Sequence, residues 1–422
     1  MATCSCLLEN CLIPSSRLGC LPEPLTGIVF HYDTFVSDTG GTPYEAAYLA
    51  NYPRVKVRVL CASTNIPVIK DIYSKVGNVT VEELRLDESD LYTKRMLDIM
   101  VFRDKAQQPL YMSVIQRILR IEQQTTRSRF KYAFFANKLD KESLTPDQRR
   151  PLNQRLDTLE SFLVQARPSW EPRTSRKALV GKDWSPQPGG LLIVDLSYPC
   201  VTPTMACSLF NICLSVFLEQ QNVSSQTQIG RIIALDEAHI YMGETAECVS
   251  LTNNLLSTIR LQRHLGVRIF ISTQEPTISP KLLDLCSVTV VRRFNSPDWL
   301  RVLSDHLAGI SSAAKVAKIL EGMEQHQIDS NLLGGGGKEQ DTNSGIRGMA
   351  LSSEVPVLEL FSRIVKIGTG EALVFSPSSI VGLEKDVGQG GIRRHRRLAH
   401  NVLQVVVRAR ITEDGGRSIM AA

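Results

Sequence analysis

The chain predicts an α/β fold: a mostly parallel sheet with a helical insertion and a C-terminal β extension. Three observations predict it. Short runs of Val, Ile and Leu without polar interruption alternate with segments of helical period, as expected of parallel strands covered on both faces. A long charged stretch of helical pattern breaks that alternation between residues 66 and 188. A glycine-rich stretch of linker composition then precedes a return to strand patterns.

In order, ATCSCLLENCL reads as an N-terminal helix, and GIVFH (27–31) and VKVRVLC (55–61) as strands, so residues 1–65 form the first part of the core. Residues 66–188 form the insertion, with helices over 91–122 and 151–163 and a closing loop rich in Pro, Trp and Arg. The core resumes over 189–308 with strands LLIVD (191–195), RIIALD (231–236), VRIFIS (267–272) and VTVVR (288–292), and helices over 203–219, 245–264 and 297–307. Residues 309–355 read as a flexible linker, and 356–422 as a β segment with strands EALVFS (371–376) and VLQVVVRARI (402–411). No internal repeat appears.

Composition narrows the function classes. With 43% hydrophobic and 22% charged residues over 422 positions, disorder throughout is excluded. A chain of this size buries roughly three-quarters of its unfolded surface, so it needs no disulfide or metal staple. The ten cysteines are read as small buried hydrophobes; Cys4, Cys6, Cys11 and Cys20 cluster without the paired CxxC spacing of a zinc ribbon. The longest apolar run, 207–218, is interrupted by Ser208, Asn211 and Ser215 and falls short of the roughly 20 residues that span a bilayer. No membrane contact is expected. The N-terminus carries Glu9 and no basic region before its apolar residues, so the expected location is intracellular, cytoplasmic or nuclear.

The sharpest chemical signal is IIALDEAH (232–239), where an apolar strand delivers Asp236 and Glu237 at its carboxyl end, the edge at which open α/β sheets bind ligands. This is a Walker-B arrangement. Asp236 would hold Mg²⁺, a hard cation that takes oxygen ligands and keeps part of its water shell, and Glu237 would polarise an attacking water. The alternative is a pair of acids capping the following helix. One strand later, FISTQEP ends in Ser272, Thr273 and Gln274, and Gln274 would reach a γ-phosphate or orient a water. One strand earlier, Asp195 ends LLIVD, either at the ligand edge or as a cap on the next turn.

These motifs, together with SCLLENCLI, VFHYD, EAAYL, VRVL, PLNQRLDTLESFL, VVRRFNSPDW, GEALVFSPS and RARITEDGGRS, resemble the additional-strand P-loop ATPases of the HerA/FtsK type, and most closely a set of fungal AAA-like proteins. The resemblance implies a RecA-like core that binds ATP and Mg²⁺, and its best-known relatives are hexameric DNA translocases. It matches Asp236 and Glu237 to the Walker-B acids and Gln274 to the sensor. Arg292 or Arg293 would match an arginine that reaches nucleotide, or else be a solvated strand-end residue.

One departure stands out. The family's Walker-A loop, GxxxxGK[ST], occurs nowhere in residues 1–422: GGGGK (334–338) is followed by Glu339, and Gly181–Lys182 by Asp183. The expectation is therefore a RecA-like fold whose first strand and P-loop are missing, the missing strand belonging between the sensor strand and VTVVR, with ATP bound weakly if at all. The chain would be an ATPase by ancestry, incomplete as written. Alternatives are a non-catalytic regulatory or interaction module that keeps the fold, and a fragment of a helicase of the DEAH type.

The net charge of +5 is local, since residues 385–422 hold eight basic and three acidic residues and carry all of it. Arg393, Arg394, Arg396 and Arg397 flank His395, and Arg408 and Arg410 alternate on the predicted strand that follows. These arginines would meet a nucleic-acid backbone, an acidic partner or water.

Overall fold

The computed structural model describes residues 2–15, 17–18, 21–33, 41–91, 93–100, 110–126, 130–163, 184–199, 201–219, 229–276, 278–306, 356–385, 393–399 and 401–412. The predicted linker (309–355), residues 164–183 with most of the loop that closes the insertion, and both Gly–Lys pairs lie outside them. The chain divides into one unit of residues 1–274 with 409–422, and another of 275–408.

The first unit is built on six strands: β1 (Thr26–His31), β2 (Lys56–Cys61), β3 (Val79–Glu83), β4 (Gly190–Asp195), β5 (Arg231–Leu235) and β6 (Val267–Ile271). They pair in the order β3-β2-β4-β1-β5-β6, every pair parallel. The central strands carry the continuous apolar runs that parallel sheets require; β5 is buried along its whole length. Side chains alternate between the two faces. One face takes Val29, Val57, Val59, Leu191, Ile193, Ile232 and Ala234 into a core with α1 (Ala2–Leu12), α2 (Ile66–Tyr73) and the 3₁₀ turn Glu45–Asn51. On α1, Cys4, Leu8 and Leu12 recur every four residues and line the helix stripe that packs there. Each such fully buried aliphatic side chain contributes about 1.5–3 kcal/mol.

The other face meets α7 (Pro203–Glu219), through Phe30 against Phe210 at 4.8 Å, and α7 packs beside α8 (Ala246–Arg260). The insertion helices α3 (Thr93–Met100), α4 (Leu110–Thr126), α5 (Tyr132–Asp140) and α6 (Pro146–Phe162) join that layer. Arg95 pairs with Glu219 at 2.7 Å and Arg155 with Glu247 at 2.6 Å. Gly189 opens β4 at φ +71°, where a Cβ would stand 2.9 Å from the Arg54 carbonyl, so only glycine fits the turn. A four-residue helix, α9 (Gln262–Leu265), leads into β6.

In the second unit, α10 (Pro280–Leu285), α11 (Pro297–His306) and α12 (Pro356–Val365) accompany β7 (Thr289–Val291), β8 (Glu371–Phe375), β9 (Ile380–Lys385), β10 (Arg393–Arg397) and β11 (Leu403–Val406). The pairings are antiparallel, in a three-stranded sheet β11-β8-β7 and a β9–β10 hairpin. Val291, Leu300, Leu303, Leu360, Ile364, Leu373 and Phe375 form its core.

The predicted α/β class holds, with its parallel sheet, helical insertion and C-terminal antiparallel sheets. Four details differ. VTVVR, read as a strand of the core that resumes over 189–308, is β7 of the separate antiparallel sheet, where it pairs with β8. β3 lies inside the span read as helical insertion: VTVEE is a half-exposed edge strand whose charged residues break the apolar run that marks inner strands. The basic cluster is itself a strand, β10. The final strand stops at Val406, four residues before Arg410, whose side chain is only 4% exposed and lies 3.9 Å from both Glu9 and Glu45. Arg408 and Arg410 therefore do not share a strand face. Among the described residues no helix is long and apolar enough to cross a membrane.

Candidate functional site

Strand register assembles the site. Phe30 of β1 lies level with Val194 of β4 and Leu235 of β5, and Leu235 with Ile271 of β6. One residue farther along, His31, Asp195, Asp236 and Ser272 therefore emerge at the same carboxyl edge. Backbone bonds continue the ladder past the strands: Asp236 N–H donates to the Phe30 carbonyl at 3.1 Å, Ser272 N–H to Leu235 at 2.8 Å, and Ala238 N–H to Ser272 at 2.9 Å.

Asp236, Glu237 and Gln274 come together as expected. The Gln274 side-chain amide donates to Glu237 Oε1 at 2.8 Å. Among the described residues, Glu237 Oε2 is buried without a hydrogen-bond partner, 3.4 Å from His239 Nδ1, and both oxygens of Asp236 are likewise buried and unbonded. Such orphaned carboxylate oxygens cost several kcal/mol unless something fills the place of water. Glu237 also holds a left-handed backbone at φ +46°, ψ +45°, a conformation costing about 1–2 kcal/mol for a residue with a Cβ. Stored strain of this kind gathers at functional positions. The helix-cap alternative fails here, because α8 begins only at Ala246 with Thr245 as its cap, and Glu237 makes no cap bond to the 3₁₀ turn Ala238–Ile240.

Asp195 behaves differently. Its Oδ2 accepts the Tyr73 hydroxyl at 2.7 Å and its Oδ1 accepts the Ser197 N–H at 3.0 Å, so both oxygens are satisfied within the fold. β1 separates its strand from that of Asp236. Arg292 and Arg293 follow β7 in the second unit, both exposed. His395, Arg396 and Arg397 are exposed on β10.

His31 is the site residue that sequence reasoning missed. Its Nδ1 lies 3.4 Å from Asp236 Oδ2, in ion-pair range though outside hydrogen-bond geometry, and its ring stacks on Tyr44 at 4.4 Å between centroids. A polar residue closing the apolar run GIVFH, at the tip of an inner strand, was the available signal. Burial disfavours the imidazolium, but Asp236, Asp195 and Asp33 outweigh it and raise the His31 pKa above its usual value. Other neighbours are held neutral. Burial and then the charge of Asp236 push the Cys4 thiol up to about 12, and the same two causes hold the Tyr44 and Tyr241 hydroxyls well above their ordinary range. Tyr241 donates its hydroxyl to the Asp236 carbonyl at 2.7 Å, fixing the turn.

The orphaned Asp236 oxygens suit a hard divalent cation. Among the described residues no three His, Cys, Asp or Glu side chains are grouped to hold a metal by themselves. A site built on one carboxylate fits Mg²⁺, which characteristically takes one or two carboxylates and completes its octahedron with water and substrate phosphate. No protein-family model matches the chain, and no curated protein matches it.

Proposed function

We propose that this chain carries the metal- and water-handling half of a nucleoside-triphosphate hydrolysis site, in a core of the P-loop, HerA/FtsK-like kind. The observation that carries the reading is a pair of buried carboxylates at the carboxyl edge of adjacent parallel strands: Asp236, with neither oxygen hydrogen-bonded among the described residues, and Glu237, whose Oε1 accepts from Gln274 while Oε2 is left over. Asp236 is the residue that would hold Mg²⁺. Bound there, the cation would neutralise charge on phosphate oxygens. Glu237 keeps Oε2 open to take a proton from water, while Gln274 holds Oε1 and fixes the carboxylate plane. Asp195 supports the edge through Tyr73 and Ser197 rather than by facing ligand. Arg292 or Arg293 would be the nucleotide-reaching arginine, and assembly as a ring with a nucleic-acid substrate, met by Arg393, Arg394, Arg396 and Arg397, follows the same resemblance.

The phosphate cradle is the part that residues 1–422 do not spell out, since none of them forms GxxxxGK[ST]. A titration with Mn²⁺ as a Mg²⁺ surrogate tests the reading: one saturable site is expected, lost in Asp236→Asn, and equal binding by the variant would overturn it. Mg·ATP is expected to bind more weakly than the micromolar range, because the backbone amides and lysine that grip phosphate are lacking. Micromolar affinity would show that other residues supply the cradle. A second reading, a regulatory module that keeps the fold without turnover, is favoured by the internal partners already at the site, His31 beside Asp236 and Gln274 on Glu237. Absence of any divalent site would select it.

A further inference from the structure

Cys207 on α7 and Cys248 in the first turn of α8 place their sulfurs 2.9 Å apart. Both residues are buried, at 0% and 3% exposure, and both are free thiols. They come from neighbouring helices 41 positions apart in sequence, so the contact is tertiary. The Cys207 thiol also reaches the Tyr241 carbonyl at 2.7 Å. Its single proton can serve only one acceptor at a time, either that carbonyl or the Cys248 sulfur.

Cys248 is the better nucleophile of the two. Its N–H donates to the Thr245 hydroxyl of the helix cap, which sets the sulfur in the amide-rich first turn of α8, where a thiolate is favoured. The hydrogen bond from Cys207 lowers the Cys248 pKa further, while the same bond and then burial raise that of Cys207. An exposed turn, Gly243–Glu244–Thr245, stands just ahead of Cys248 in the chain, with buried Ala246 and Glu247 between them.

We propose that Cys207 and Cys248 are a modification site that hydroperoxides oxidise to an intramolecular disulfide, with Cys248 attacked first and Cys207 resolving it. In the first step the Cys248 thiolate attacks one oxygen of hydrogen peroxide; the O–O bond breaks, hydroxide leaves, and Cys248 becomes a sulfenic acid. In the second, the Cys207 sulfur attacks the sulfenic sulfur. The S–O bond breaks, and the departing hydroxide leaves as water with the Cys207 proton. Two thiols lose two electrons, and one peroxide is reduced to two waters. The sulfurs need to close by roughly 0.9 Å to reach S–S bonding distance.

Oxidation has a consequence for the candidate site. It consumes the proton that Cys207 offers to the Tyr241 carbonyl, and Tyr241 is the residue whose hydroxyl ties down the Asp236 carbonyl.

The test treats the full chain with hydrogen peroxide, blocks remaining thiols, and maps bridges by non-reducing digestion and fragmentation, which separates Cys207 from Cys200 and Cys213 on the same tryptic peptide. The expected result is a Cys207–Cys248 bridge, loss of two thiols and about 2 Da per chain, reversed by dithiothreitol. In Cys207→Ser the bridge is lost and a dimedone adduct appears on Cys248 instead. Mapping of the unaltered chain decides the matter if that variant fails to fold. Peroxide that oxidises other cysteines while Cys207 and Cys248 stay reduced would overturn the proposal, as would dimedone labelling of Cys207 in preference to Cys248 in Cys248-intact protein.

Discussion

Asp195 and Asp236 stand at the tips of β4 and β5, on the same sheet edge, each at most 4% exposed. In sequence they look alike: an apolar strand running into a buried acid. In the fold they are opposites. Asp195 spends both oxygens on Tyr73 and Ser197, whereas Asp236, among the described residues, spends neither and is met by His31 at ion-pair distance. Burial alone therefore says little about a carboxylate's role; the hydrogen-bond tally separates one satisfied within the fold from one that is not.

Substitutions should widen or collapse that contrast. The largest effect is expected at Glu9, a fully satisfied buried carboxylate: it accepts from the Ile411 and Thr412 N–H groups and from the Thr412 hydroxyl, with Arg410 alongside. Glu9→Ala should cost about 3–5 kcal/mol in denaturant unfolding, because it strands several buried partners at once. Asp195→Ala should cost about 2–3 kcal/mol, leaving Tyr73 and Ser197 without acceptors, while Mn²⁺ binding is unchanged. Loss of the metal site in that variant would erase the distinction between the two aspartates. Tyr73→Phe removes one donor from the same carboxylate and should cost about 1–2 kcal/mol by thermal unfolding.

Asp236→Asn is expected to move the other way. At a pH where His31 is neutral, removing a buried charge that no hydrogen bond offsets should raise stability by about 1 kcal/mol even as the proposed metal site disappears. A destabilised variant would mean that Asp236 is structural after all. The smallest effect concerns pH. The His31 pKa is raised in the folded protein, so the stabilisation from its protonated form is fully present below its unfolded pKa and is lost as pH rises through the folded value. The stability gap between the wild type and His31→Gln should accordingly narrow as pH rises above the ordinary histidine range, about 6.5, in paired denaturant melts. A gap that widens with pH would contradict the pairing with Asp236.

Much of this was legible in the chain. Helix α7 follows from its apolar density over Pro203–Glu219, and the inner strands from unbroken Val, Ile and Leu runs, because a strand buried on both faces tolerates little else. Edge strand β3 was not legible, since alternation with glutamate is shared by half-exposed strands and helices over five residues. Nor was the last strand's end at Val406, where local alternation of Arg408 and Arg410 suggested a strand face. Contact with Glu9, some 400 positions away, takes the chain out of the sheet there.

What the residues themselves determined was the class of fold and the identity of the edge: periodicity and side-chain chemistry are local, and strand tips ending in Asp195, Asp236 and Gln274 can be read one run at a time. What only the tertiary structure decided was which acid is satisfied. The Tyr73 hydroxyl, the His31 ring and the Cys207–Cys248 contact reach their partners across 122, 205 and 41 positions, and hydrogen bonding and burial depend on such long-range placement rather than on neighbours in the chain.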